Sequence, residues 1–312
     1  MSIPPSTFAT TRLGVGTAAL AVRYGPPGIE HPAPDPAGAQ RTLNTAWERG
    51  LRFFDTAPAY GDAEALLGRV LVGREQCTVA TKLAIPPGGW EALSPAQIRA
   101  HVRASALSSL RALRRERIEV LQIHNAGAAL IRRGAVVHAL AELRQEELVL
   151  DLGATVYGEA DALAAIADPN LDLVQIAYSA LDRRPERRVL PAAAAAGKTV
   201  VARSLLLRGV LSTAGRALHG PFAALGDAID TVRAAFGVSW DDLPGAAVAF
   251  VATRPGIATA LLGPRDEAEL NALLDRAARF HERAKGWQPP VLELPEWLLD
   301  PSRWPAEATV GG

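Results

Sequence analysis

Three apolar runs in the chain end on residues able to move or hold a proton. LRFFD ends on Asp55, CTVATK on Lys82 and VLQIH on His124, and Tyr60 stands five residues beyond Asp55. A free phenol titrates near ~10, so it keeps its proton at neutral pH and gives it up reluctantly. A neighbouring ammonium favours the phenolate and lowers that barrier. A carboxylate beside the ammonium keeps it charged and fixes its direction. An imidazole nitrogen can hold a carbonyl oxygen. Such a group donates a proton to an oxygen that is gaining negative charge, or removes one in reverse. It contains no nucleophile and no metal ligand set, so reduction at carbon needs a hydride source, which implies a nicotinamide cofactor. Taken singly, each residue has a plainer reading. An aspartate at a strand end commonly caps a turn, and a lone histidine is more often structural. The conjunction is what carries the chemistry.

The conjunction requires elements that bring these residues together. Strand-like runs fall at Leu13–Thr17, Arg52–Asp55, Cys77–Lys82, Val120–His124, Val149–Thr155, Leu171–Tyr178, Thr199–Ser204 and Ile257–Leu262. Helix-like stretches alternate with them near 38–50, 62–72, 95–115, 134–146, 159–167, 185–197, 241–253 and 266–280. The strands are apolar without clean alternation, as expected when both faces are covered. Alternating strands and helices allow a closed parallel barrel or an open doubly wound sheet, and the count of eight favours a (β/α)₈ TIM barrel. In a barrel the strands ending at Asp55, Lys82 and His124 are neighbours that open on one rim. Tyr60 then lies on the loop leaving the first of them. The expected organisation is one domain over 1–312, with a tail from 281 at the barrel rim.

Local signals agree with these elements. Ser94-Pro95 reads as a helix N-cap with proline at the first helical position. Gly50 and Gly197 follow helical runs and suit left-handed helix ends. Two connections, 18–37 and 205–240, are long enough to be lids or binding loops. Arg23, Tyr24 and Trp90 are within reach of the rim, though each reads more readily as a surface residue. The tail carries Trp287, Trp297 and Trp304 among prolines and either covers one barrel end or packs on the outside.

Composition narrows the class. Hydrophobic residues make up 49% and charged residues 21% of 312, enough for a large core. Lys+Arg and Asp+Glu both number 33, which offers no basic surface for nucleic acid or membrane. The single Cys77 rules out an intramolecular disulfide and any multi-cysteine metal site. The first residues show no signal-peptide pattern, and no apolar run approaches a membrane span. The expectation is a cytoplasmic protein whose partner is a small-molecule carbonyl substrate.

The chain resembles the aldo-keto reductases. The likeness runs through LGVGTAAL (13–20), FFDTAPAYG (53–61) with GDAEALLG, VATK (79–82), and the long run ending at His124. FFDTA-x3-YG with the downstream lysine and histidine is a specific signature. The resemblance implies Tyr60 as general acid, Lys82 and Asp55 as its tuning pair, and His124 as the group that orients the substrate. It also implies cofactor contacts. Gln175 in LDLVQIAYS corresponds to a glutamine that meets the nicotinamide carboxamide. Ser204, Leu205 and Arg208 fall in the segment that lines the pyrophosphate, and Gly263 and Arg265 fall in the loop holding the adenosine end.

The chain departs from the family pattern in three places. Thr155-Val156 replaces the common Ser-Asn pair, so Thr155 can still hydrogen-bond but the valine side chain cannot. Gly263-Pro264 replaces Lys-Ser. Glu269 and Leu273 replace residues that usually contact the adenosine side. Arg265 could hold a 2′-phosphate, whereas Glu269 would repel one and accept from a ribose hydroxyl instead. The resemblance favours NADP(H) over NAD(H). Three readings stand beside the reductase. One is the reverse reaction, a sugar or alcohol dehydrogenase. Another is a non-catalytic nicotinamide-binding regulatory protein of the same fold. The third is an unrelated barrel using Lys82 as a Schiff base, which needs a neutral amine and is disfavoured by a paired Asp55.

Overall fold

The computed structural model describes residues 12–26, 31–74 and 76–304. The first residues of the chain, part of the 18–37 connection and the last residues of the tail lie outside the described residues. Eight parallel strands close into a barrel in sequence order. They are β1 Leu13–Gly16, β2 Phe53–Asp55, β3 Thr78–Lys82, β4 Ile118–Ile123, β5 Val149–Thr155, β6 Leu173–Ala177, β7 Thr199–Arg203 and β8 Thr259–Leu262. β8 pairs with β1 through Leu13 and Ala260, which closes the ring.

The apolar strands turn out to carry a hidden alternation. Val15, Phe54, Val79, Leu121, Leu152, Val174, Val200 and Leu262 belong to the large core between barrel and helices. Phe53, Ala80, Val120, Leu173, Val201 and Leu261 form a separate cluster inside the barrel. Successive strand residues face opposite sides, and here both sides are apolar, so the sequence shows no polar alternation.

Helices cover the outside where the apolar periodicity placed them. Pro95–Leu113 begins at a full capping box, in which Ser94 and Gln97 bond each other's backbone. Gly50 and Gly197, both past helix ends, take left-handed φ of 86° and 65°. Strand four differs from expectation at both ends. It begins at Ile118, and His124 stands one residue past its end. There Asn125 turns left-handed (φ 51°) and its N–H bonds Thr155 Oγ1, which takes the chain off the ladder.

Helix Leu243–Ala252 is apolar nearly all round and packs closely on Glu267–Ala284. A Cβ on Gly245 would sit 2.2 Å from Arg276 Cβ and 3.0 Å from its carbonyl carbon. The close approach fixes the spacing of two helices that both reach the barrel mouth. Gly245→Ala gains about 1 kcal/mol of helix propensity, but overpacking of this kind costs about 1–3 kcal/mol. A net loss of stability is expected, read as a lower urea midpoint at unchanged slope.

Candidate active site

Above the apolar cluster in the barrel lies a polar layer. Two residues on from Phe53, Ala80, Val120, Leu173, Val201 and Leu261 stand Asp55, Lys82, Gln122, Gln175, Arg203 and Gly263. The period of two keeps each on the inner face, one step nearer the C-terminal mouth. One further step past Gln122, just beyond the end of β4, gives His124.

Asp55 is the centre of this layer. Its Oδ1 accepts from Lys82 Nζ at 2.6 Å, and its Oδ2 accepts from Gln175 Nε2 at 2.8 Å and Gln122 Nε2 at 3.2 Å. Lys82 also donates to the Thr56 carbonyl at 2.7 Å. Asp55 is 4% exposed and Lys82 1%. The loop that carries Tyr60 is pinned to this pair. Thr17 donates to Thr56 Oγ1, Thr56 N–H bonds the Ala80 carbonyl, and Tyr60 N–H bonds Ala57. Gly61, with φ 54°, then turns the chain away.

Tyr60 and His124 stand over the pair, half-buried, with ring centroids 6.2 Å apart in an edge-to-face arrangement. Lys82 Nζ lies 5.1 Å from the Tyr60 ring centre. The structure therefore brings the four sequence-predicted residues together. Their electrostatics differ in one respect from the expectation. Burial and then the Asp55 charge push the Tyr60 phenol well up, opposed by Arg203 rather than by Lys82. The ammonium is committed to Asp55 and Thr56, and burial pushes it down. Burial and the Lys82 charge push His124 down to about 4. The imidazole is thus neutral at physiological pH, with one N–H to donate. The site holds a protonated phenol and a neutral imidazole over an ion pair, an arrangement suited to giving a proton to an oxyanion.

Tyr60, His124 and the top of the polar layer open into a cavity of about 660 Å³. Every cofactor position expected from the sequence lines it: Thr155, Gln175, Ser204, Leu205, Arg208, Gly263, Arg265 and Glu269. Gln175, however, spends its amide on Asp55 and Gln122. Thr155 Oγ1 accepts from Asn125 N–H. Ser204, Leu207 and Arg208 all take left-handed φ, from 45° to 62°. Such strain in non-glycine residues clusters at functional loops. Arg265 and Glu269, weighed as alternatives from the sequence, are paired: Glu269 Oε2 accepts from Arg265 Nε at 3.0 Å and from its N–H at 2.8 Å.

Both long connections reach the cavity, through Tyr24 and His31 from one and Ser212–Ala214 from the other. Tyr24 is half-buried there, with Arg208 over its ring, rather than a surface residue. Trp90 is buried but away from the cavity, against His101. The tail reaches the rim: Trp297 and Trp304 pack on Phe222, and Pro301 and Ser302 line the cavity. Sequence reading missed Gln122, Tyr157 and Arg203. The step of two along each strand would have exposed Gln122 and Arg203.

The cavity suits a dinucleotide. Amide and hydroxyl groups of Gln175, Thr155 and Ser204 line it together with the guanidinium groups of Arg208 and Arg265, which can pair with phosphates. The family model described as Aldo/keto reductase family matches residues 12–281. The chain belongs to the aldo-keto reductase family. Membership makes it an NAD(P)-dependent oxidoreductase on a (β/α)₈ barrel. Pyridoxal 4-dehydrogenase of Microbacterium luteolum is 28% identical over 245 residues, 66% of this chain and 70% of that protein. D-threo-aldose 1-dehydrogenase of a Pseudomonas species is 30% identical over 204 residues, 56% of this chain and 61% of that protein. The solved holo form of an aldo-keto reductase from Bacillus halodurans superposes with a TM-score of 0.69 at 23% identity, over 91% of this chain and 96% of that one. That last likeness concerns the fold.

The buried ion pair generates a stability test. Lys82→Met leaves Asp55 without its cation and is expected to cost about 3–5 kcal/mol. Combining it with Asp55→Asn removes the orphaned charge, so the double variant should lose less than the sum of the singles. Urea unfolding of the four proteins measures the difference.

Proposed function

We propose that the chain reduces an aldehyde or ketone to the alcohol, with Tyr60 as the proton donor. Bound NAD(P)H supplies the hydride. Tyr60 Oη donates a proton to the carbonyl oxygen as that oxygen gains charge. The neutral His124 holds the same oxygen by a hydrogen bond. Asp55 and Lys82 hold the floor beneath both rings and keep water from it, with Gln122 and Gln175 completing the Asp55 shell. Thr155, Gln175, Ser204, Leu205 and Arg208 would hold the nicotinamide and pyrophosphate half of the cofactor, and Gly263, Arg265 and Glu269 the adenosine half. The observation that carries this reading is Tyr60 and His124 facing each other edge-to-face over a buried Lys82–Asp55 pair and opening into a cavity of about 660 Å³. Lys82 held in that pair is unsuited to Schiff-base chemistry.

The reverse reaction uses the same residues. Burial keeps the resting Tyr60 phenol protonated, which is the state from which reduction starts. We read the chain as one barrel unit working in a reducing, cytoplasmic setting, in keeping with its single cysteine. NADP(H) is the preferred cofactor in this reading, through Arg265. Glu269 tempers the preference because it already pairs with that arginine.

Two measurements test the reading. Tyr60→Phe should lower kcat for aldehyde reduction by roughly 10²–10⁴-fold, with NADPH affinity by fluorescence quenching essentially unchanged. Tight NADPH binding with no turnover of any carbonyl by the wild type would favour the regulatory alternative instead. Glu269→Gln frees Arg265 and removes a negative charge. It should raise the affinity for NADPH relative to NADH by roughly two- to fivefold. An unchanged ratio would remove Arg265 as the phosphate partner.

A further inference from the structure

Glu64 is a buried carboxyl that the proton transfer does not use. It is 7% exposed and lies in the first turn of helix Ala63–Val70, four residues past Tyr60. Thr81 faces outward on β3, two residues on from Val79, and its hydroxyl donates to Glu64 Oε1 at 2.6 Å. The carboxyl thus stands behind β3, on the outer side of the barrel wall. Burial pushes it up, opposed by the hydroxyls of Thr81 and Ser109 and by the Lys82 charge. Of the two hydroxyls, only that of Thr81 makes a hydrogen bond of good geometry. The rest of that helix face is apolar, with Ala63, Leu66, Leu67 and Val70 buried. An apolar pair of the same shape in place of Glu64 and Thr81 would be nearly neutral for stability, or favourable. Packing alone therefore does not account for the carboxyl.

The places where this bond begins and ends set what it does. The segment from Thr56 to Glu64 carries Tyr60 at its middle. Its first end is held on β3 by Thr56, whose N–H bonds the Ala80 carbonyl at 2.8 Å and whose carbonyl accepts from Lys82 Nζ at 2.7 Å. Its second end is held on β3 from outside the barrel, by Thr81. Both anchors fall on three consecutive residues, Ala80, Thr81 and Lys82. Between Tyr60 and Glu64, the left-handed Gly61 lets the segment turn back toward the strand. Resting on the carbonyl-reductase reading, we propose that Glu64 is a positioning residue: its bond to Thr81 closes the second end of this bracket and holds the Tyr60 phenol in place over the Lys82–Asp55 pair. A misplacement of about 1 Å at a reacting group can cost about 10²-fold in rate. An anchor outside the cavity thereby reaches the proton transfer without touching the substrate.

The test is the single-turnover rate of NADPH oxidation with saturating 4-nitrobenzaldehyde, normalised to folded protein. Glu64→Leu and Thr81→Val each break the bond and should lower this rate by roughly 10- to 100-fold, with the steady-state KM for the aldehyde and the NADPH affinity essentially unchanged. The double variant should be no slower than the slower single, because both substitutions remove the same bond. Glu64→Gln keeps an acceptor at the same reach and Thr81→Ser keeps the hydroxyl, so both should stay close to the wild-type rate. If Glu64→Leu folds poorly, the Thr81→Val and Thr81→Ser pair decides. In crystals of Thr81→Val, the Tyr60 ring centre should lie farther from Lys82 Nζ than the 5.1 Å of the unaltered protein. A lowered urea midpoint with an unchanged single-turnover rate in Glu64→Leu and Thr81→Val would make the bond an element of the fold only. That result would overturn this proposal and leave the reductase reading standing. Equal rate losses in Glu64→Gln and Glu64→Leu would assign the effect to the carboxylate charge rather than to the bond, and would also overturn it. No turnover of any aldehyde by the wild type would remove the reductase reading and this proposal with it.

Discussion

One buried carboxylate organises this barrel mouth. Asp55 takes hydrogen bonds from side chains of three other strands: Lys82 on β3, Gln122 on β4 and Gln175 on β6. Desolvating a carboxylate and an ammonium together is unfavourable unless the geometry is good and the remaining lone pairs are satisfied. Here both conditions hold, because the strands are in register and each donor stands on the inner face. The same interaction that answers the desolvation penalty also locks the level of four strands relative to one another at the catalytic rim. Thr56, one residue past Asp55, extends the lock to the Tyr60 loop through its carbonyl.

The layer beneath gives the site its electrical character. Phe53, Ala80, Val120, Leu173, Val201 and Leu261 exclude water from below, so the polar groups above them interact in a poorly screened setting. That is why burial is the largest influence on Tyr60, Lys82 and His124 alike, ahead of any single charge. Burial favours the neutral form of each, and the ion pair with Asp55 opposes this for Lys82. The outcome is a mouth that stores its proton on the phenol and offers an uncharged imidazole. Among the described residues Arg203 stands out against this background, since its partners, Ser204 Oγ, the Val156 carbonyl and the Tyr157 ring, are all neutral.

Part of the cavity wall is built differently. It comes from connections rather than strand ends: the turn around Tyr24 and His31, the left-handed backbone at Ser204, Leu207 and Arg208, and the last turns of the tail. Strand ends thus supply the polar layer, and loops supply the remaining wall. Helices Leu243–Ala252 and Glu267–Ala284, pressed together at Gly245, supply the outer wall through Pro244, Val248, Glu269 and Leu273.

Much of this was readable from residue order alone. Strand–helix alternation, a count of eight and polar residues ending three consecutive strands imply a barrel with Asp55, Tyr60, Lys82 and His124 at one rim, because covalent order dictates neighbours in a parallel barrel. The end of strand four was misjudged by one residue, since the left-handed turn at Asn125 depends on a hydrogen bond from a distant strand. Other facts needed the folded chain. Gln175 reads as a cofactor ligand in one dimension, and only the fold shows that its amide nitrogen also bonds Asp55, 120 positions away. Arg265 and Glu269 read as rivals and prove to be partners. Arg203 went unnoticed in an apolar run because inner and outer faces of a buried strand look alike until closure assigns them. Sequence determines which groups are present and which strand carries each. Only the closed barrel decides which charges find a counter-charge and which is left facing the cavity, because that depends on distances between strands far apart in the chain.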